Sequence, residues 1–450
     1  MTGSLRSRQR LEPDVGTTVY HQQFATLPNE GPTWLGPMRK RAMERFEAHG
    51  FPTPKNEDWH FTNPAPITEE AFQPMKPALG TVTHADIAPF LVGHAEWPTV
   101  VFVNGRYSPS LSKVDNLPIG VQVMSLASAL HEEPTLLEQY LGKVACYETQ
   151  GVAFTAINTA LMRDGAVLHV ASDTVVETPI HLLFVSDAGA EGGVSYPRNL
   201  LVVERNARAT VIEQYASLGD ARYLTNSVTE CVVTDGATLH HYKLQREGMK
   251  AFHVGHVEVT QARDSHYVSF SFVSGASLSR SNIYTTLAGD GCGATLNGLY
   301  MLDGHQTSDH QTRIEHAQPN CYSREMYKGI LDGSSHGVFN GKVYVHPIAQ
   351  KTDGKQTNKT LLLSDRARID TKPQLEIFAD DVKCTHGATV GRLDDLASFY
   401  MKSRGVGAET TRRLLTYAFA AEVLETIELE PLKEALEAMT MARYTGSTGK

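Results

Sequence analysis

The strongest constraint on this chain is a repeat near its middle. The segments Ala209-Thr-Val-Ile-Glu213, Ala237-Thr-Leu-His-His241, His266-Tyr-Val-Ser-Phe270 and Ala294-Thr-Leu-Asn-Gly298 begin 28, 29 and 28 residues apart. A turn-forming residue precedes each: Asn206, Asp235, Asp264 and Gly293. Asp365-Arg-Ala-Arg-Ile369 is a later echo. A fixed period in a region of short strands without helical crossovers predicts stacked coils. One coil cannot bury its inner face alone, so its neighbours supply the core. The period favours a parallel β-helix or a closely related β-solenoid. The alternative is a β-sandwich, which also has short strands and regular turns.

The rest of the chain divides around this region. Residues 1–95 read as helical and irregular. Leu35 to His49 carries Met38, Ala42 and Phe46 on one helical face, closed by Gly50 and Pro52. Trp59 in the proline-rich stretch that follows is a core residue or an anchor for that loop. From 96 to 391 the pattern is strand-like, as in Val100-Val-Phe-Val103 and His181-Leu-Leu-Phe-Val185. A helical interruption runs from Leu126 to Tyr140. Residues 392–445 read as helices. Leu393, Leu396, Phe399 and Tyr400 share one face, and a wide apolar stripe spans 408–427. Residues 446–450 are a polar tail.

Composition excludes several classes. A net charge of −9 argues against non-specific nucleic-acid binding. No run of about 18 apolar residues predicts a membrane span. Arg6, Arg8 and Arg10 precede the first acid, Glu12, but that run is too short to read as a targeting segment. The five cysteines, Cys146, Cys231, Cys292, Cys321 and Cys384, are scattered. Their odd number points to a reducing, cytoplasmic setting rather than a disulfide framework. Without a four-cysteine cluster, no stable iron–sulfur cofactor is expected in this chain alone.

The motifs are mostly negative. Gly337-Val-Phe-Asn-Gly-Lys-Val343 lacks the hydroxyl and the strand-to-helix context of a phosphate loop. His305, His310, His316, His336 and His346 crowd one segment without helical metal-ligand spacing and read as stacked polar residues on coil surfaces. Cys321 follows Pro319-Asn320 in a turn, an exposed position with a structural role. Asp380 and Asp381 are adjacent, so on a strand they would face opposite ways and make a poor two-carboxylate centre. Cys384 and His386 stand two apart, on one face of an extended strand. They are either a soft-metal ligand pair or a small buried thiol beside an ordinary imidazole.

The longest informative stretch is Thr371 to Gly391, with the run Asp-Asp-Val-Lys-Cys-Thr-His-Gly-Ala-Thr from Asp380. Lys328-Gly-Ile-Leu-Asp332, Gly337-Val-Phe-Asn-Gly341, Ala349-Gln-Lys-Thr-Asp353, Gln356-Thr-Asn358, Leu361-Leu-Leu-Ser-Asp365 and Phe399-Tyr-Met-Lys-Ser-Arg-Gly405 accompany it in order. Together they resemble the SufD family of iron–sulfur cluster assembly scaffold proteins. Asn56-Glu-Asp-Trp-His-Phe-Thr-Asn63 resembles that family's N-terminal element. The resemblance implies a mainly β fold: a right-handed parallel β-helix core with N-terminal and C-terminal helical regions. It implies a non-enzymatic scaffold that pairs with a SufB paralogue and recruits the SufC ATPase, with a transient iron–sulfur cluster formed at the joint. The expected pairing edge is 374–391, and the expected ATPase surface is the helix at 408–427. A homodimer is possible when the chain is alone. The family's important histidine matches His386, which is preferred to Cys384 as a nascent-cluster ligand. A SufB-type paralogue is the alternative, but SufB-like chains carry Cys after the Phe-Tyr pair where this chain has Met401, which favours SufD. A secreted β-helix carbohydrate-active enzyme is a more distant one.

Overall fold

In the computed structural model the described residues run from 15 to 443, except 29, 79, 81, 95, 116 and 146–152. The arginine-rich start, Cys146 and the tail at 446–450 lie outside them. The core is a β-solenoid of about eight turns with helices at both ends. Each full coil gives one strand to each of two facing sheets. In the first sheet, Leu224–Val233, Phe252–Gln261, Leu278–Leu287, Thr307–His316, His336–Val345 and Arg368–Ile377 follow one another in parallel. In the second, Arg208–Ser217, Thr238–Arg246, His266–Val273, Gly293–Leu302, Tyr322–Leu331, Asp353–Leu362 and Lys383–Gly391 do the same.

The corners before the first six of these second-sheet strands explain the repeat. Asn206, Gly236, Asp264, Gly291, Asn320 and Lys351 occupy the left-handed region there, with φ between 55° and 75°. Asn, Asp and Gly adopt that conformation at the least steric cost. The turns stack as the strands do: Asn206 N–H donates to Asp235 O, Asp264 N–H to Asp290 O and Asn320 N–H to Gln350 O, each at 2.9 Å. The repeat therefore marks real coils, but its spacing does not give their register. Ala209 pairs with Leu239 rather than Ala237, and Ala294 with Tyr267 rather than His266. Coil length varies at the corners while strand pairing stays strict. The echo at Asp365–Ile369 belongs to the other sheet, leading into the Arg368–Ile377 strand.

Side chains alternate between a lumen and two outer faces. Val211, Leu239, Leu296 and Tyr300 of one sheet meet Cys231, Val257, Ile283 and Ile314 of the other inside the solenoid. The N-terminal helices and the fully buried helix Ala153–Leu161 cover one outer face, against Leu224, Phe252, Val254 and Leu278. That helix was not expected. Its apolar residues do recur at helical spacing, as in Ala153, Ile157 and Ala160, but its polar face of Thr155, Asn158 and Thr159 is buried as well, with Asn158 Nδ2 donating to Pro197 O and Asn226 O. The C-terminal helices Ala408–Leu424 and Glu430–Arg443 cover the other face, where Ala420, Val423, Leu424, Leu432 and Leu436 pack on Tyr242, Leu244, Phe270, Phe272 and Leu299. The C-terminal half of the apolar stripe at 408–427, with Val423, Leu424 and Ile427, is thus buried against the solenoid itself, while Leu414 and Ala418 are exposed.

Trp59 is an anchor, held by a charge. The Arg280 guanidinium lies 4.0 Å from the centre of its ring and donates to Asp58 O at 2.6 Å and Asp309 Oδ2 at 2.6 Å. Thr62 Oγ1 donates to the same carboxylate oxygen at 2.6 Å. Both ions are almost fully buried, so removing one leaves the other unpaired in a low-dielectric site. Arg280→Met should cost roughly 3–5 kcal/mol in urea unfolding and expose the 50–64 segment to limited proteolysis. A loss below about 1 kcal/mol with unchanged cleavage would show that apolar packing alone holds this segment.

Candidate functional site

The two ends of the solenoid differ. At the N-terminal end, short antiparallel strands are the last members of both sheets: Val121–Ser125 on Ala166–Val170, and Arg106–Tyr107 on Thr99–Val103. At the C-terminal end, Arg368–Ile377 and Lys383–Gly391 each have a strand on one side only. Alternate residues of a parallel strand turn their N–H and C=O to the same neighbour. Lys383 N–H donates down to Thr352 O at 2.8 Å, so Cys384, His386, Ala388 and Val390 turn their backbone groups outward. In the other edge strand, Arg368 N–H donates to Ser335 O at 3.0 Å. Its outward positions are therefore 369, 371, 373, 375 and 377, and Pro373 has no N–H to offer. The second sheet alone ends in a complete row of free donors.

The side chains of Cys384, His386, Ala388 and Val390 lie in register over Gly354, Gln356, Asn358 and Thr360. Those four line the lumen. His386 is exposed because no further coil covers the lumen there. Cys384 is half-buried against an apolar cluster of Val343, Val345, Ala349 and Ala379. A Cβ at Gly354 would stand 3.4 Å from its Sγ. Burial pushes the Cys384 thiol up, which makes it a poorer thiolate. The structure thus places both residues at one mouth with different characters, a packed thiol and an open imidazole. Among the described residues, no three His, Cys, Asp or Glu side chains come together as a metal site.

Beneath His386 the lumen is polar and titratable, which the sequence reading missed. Gln356 Nε2 donates to Glu325 Oε2 at 2.6 Å. Gly341 makes room, since a Cβ there would meet Gln356 Nε2 at 2.3 Å. Burial raises Glu325 to about 7. Deeper, burial would raise Glu213, but Lys243 and His241 outweigh it and hold it at about 2. Glu247 is held down by His253, which lies 2.8 Å away. The strands carrying Glu213 and Glu325 read as ordinary β-segments. Only register shows that these acids point inward.

Other expectations are corrected. His310 and His316 lie inside the lumen rather than on coil surfaces, lowered by burial to about 3 and about 4. His336 pairs with Asp370 and His346 with Glu315. Cys321 is buried, not exposed. Asp381 sits in a turn, paired with Lys351, so the two adjacent acids form no carboxylate pair across a cleft. Gly337–Lys342 lies within one strand. No helix is long and apolar enough to cross a membrane among the described residues.

The buried acid and the buried imidazoles act oppositely on stability. Between pH 4.5 and about 7 the folded chain keeps the Glu325 proton that the unfolded chain loses. Stability therefore falls as pH rises through that window. For His310 and His316 the unfolded chain takes up protons first, so stability is lost as pH falls from 6.5 towards 4 and 3. Glu325→Gln should be more stable than the natural chain at pH 8 than at pH 5, by about 2 kcal/mol in urea unfolding. A pH-independent difference would show that Glu325 ionises normally.

Two family models match the chain: the SufBD protein N-terminal region at residues 16–182, and the SUF system FeS cluster assembly SufBD core domain at residues 184–419. The iron-sulfur cluster assembly protein SufD of Escherichia coli is 33% identical, over 94% of this chain and 97% of its own length. An iron-sulfur cluster assembly SufBD family protein of Synechocystis is 33% identical over 90% of each chain. SufD of Bacillus subtilis is 27% identical over 93% of this chain and 95% of its own.

Proposed function

Because the chain belongs to the SufBD family of SUF-system iron–sulfur cluster assembly proteins, we propose that it is a SufD-type scaffold subunit that works without catalysing a reaction itself. The observation that carries this reading is the open, proline-free edge from Cys384 to Val390, with His386 at the mouth of the lumen. Unpaired strand edges add strands readily. The partner is a SufB paralogue whose own terminal coil continues the second sheet, and the nascent cluster is the cargo built at that joint. SufC, the ATPase, docks on the C-terminal helices. The support for its position is an exposed apolar row on Asp395–Ser403, where Leu396, Phe399 and Tyr400 are 76%, 70% and 58% exposed. Leu414 at the start of the expected 408–427 surface extends it. Rows of this kind mark interaction sites.

The mass of the complex reconstituted from the three components checks the assembly. The natural chain should join both partners. Phe399→Asp should lose the ATPase and keep the paralogue, whereas Thr385→Pro, which removes a donor to the coil below, should weaken the edge. A monomer in the presence of the paralogue would overturn the pairing.

Imidazole suits iron, and donors from the partner can complete its coordination. His386→Ala should leave the fold and the pairing intact while abolishing cluster formation in cells. Cys384→Ala should be milder. Full assembly with His386→Ala and loss with Cys384→Ala would reverse the ligand assignment.

A further inference from the structure

The stacked corner turns bring two thiols together. Cys292 and Cys321 hold the same position in successive coils, one residue before the paired Gly293 and Tyr322. Tyr322 N–H donates to Cys292 O at 3.0 Å. Adjacent strands lie about 4.8 Å apart, inside the roughly 4.4–6.8 Å Cα separation that a disulfide spans. The side chains turn the same way: Cys292 Sγ lies 3.1 Å and Cys321 Sγ 3.3 Å from one shared acceptor, Gly289 O.

The pair lies just below the surface turns. Both thiols are buried, but directly beneath the exposed turn residues Asp290 and Asn320. Asn320 Nδ2 donates to Asp290 Oδ1 at 3.0 Å and Gly291 N–H to Pro319 O at 3.2 Å, which joins those turns above them. The Cys321 thiol draws Cys292 below the ordinary thiol range, towards about 7, and is itself pushed up. A proton shared in this way eases formation of the first thiolate, the reactive form. Cys231 lies within the strand Leu224–Val233 of the first sheet, away from these turns, and Cys384 stands at the open end.

We propose that Cys292 and Cys321 are a redox couple that closes a cross-coil disulfide under a mild two-electron oxidant. With a diazenedicarboxamide as oxidant, the Cys292 thiolate adds to one nitrogen of the N=N bond and the other nitrogen takes up a proton. The Cys321 thiolate then attacks Cys292 Sγ. The S–N bond breaks, and the hydrazine leaves with a second proton. The two thiols lose two electrons and two protons, and the diazene gains them. Nothing in the assembly role proposed above uses this pair.

Peptide mapping of the folded chain tests the couple. The protein is treated with diamide, alkylated under denaturing conditions and digested without reductant. The expected product is one cross-linked peptide joining Cys292 to Cys321, with two fewer alkylated thiols than in untreated protein, both restored by dithiothreitol. Cys321→Ser should abolish the cross-link, and Cys231→Ser should leave it unchanged. Full alkylation of Cys292 and Cys321 after diamide, or a link from either to another cysteine, overturns the proposal. If Cys321→Ser does not fold, mapping of the natural chain decides alone.

Discussion

Strict parallel stacking of one coil on the next is the constraint from which the rest follows. Each strand satisfies its backbone groups only through the coils above and below. Each lumen side chain is covered only by its counterparts in those coils. A stack of this kind is stable in its middle and unfinished at its ends. The N-terminal end finishes in short antiparallel strands. The C-terminal end has no strand beyond Lys383–Gly391, and His386 is exposed for that reason alone. Its availability is a property of the architecture, since the corresponding Gln356 one coil below is buried.

Stacking also explains how a narrow lumen holds charged groups. Glu213 is reached by His241, Lys243 and Thr229 from neighbouring coils. Glu247 is reached by Thr225, Gln245 and His253. A buried charge is tolerable when partners and hydrogen bonds surround it, and a stack brings such partners to a fixed height. Glu325 lacks a cation and holds its proton instead. The apolar outer faces of the middle coils are covered by helices, whereas the last strand, Lys383–Gly391, is exposed along most of its length.

The coils were legible in the sequence because left-handed corners demand Asn, Asp or Gly at intervals near one coil length. The register was not. Corner length varies, and sliding a repeat by one residue exchanges lumen for surface. That is why His310 passed as a surface position, while Ala153–Leu161 carries a helical apolar spacing whose polar side, Thr155, Asn158 and Thr159, is buried too. The helix Leu35–His49 was readable because Met38, Ala42 and Phe46 face the core while the opposite side stays polar. Cys384 and His386 were readable as neighbours on one face. Their difference in burial depends on the Val343–Ala379 cluster, which the local sequence does not reveal.

The asymmetry of the two ends carries a consequence for symmetry and growth. Head-to-tail association needs two complementary open surfaces, and it propagates into filaments when the rotation does not close. This solenoid offers one long parallel edge, Lys383–Gly391, and only short antiparallel strands at its other end. If it joined another solenoid of the same kind through that long edge, only the short antiparallel strands of the other end would be left to a third. Pro373 narrows that joint, because it interrupts the donor row of one sheet and leaves the other to set the alignment. The fold thereby has the long templating edge of a cross-β strand at one end only.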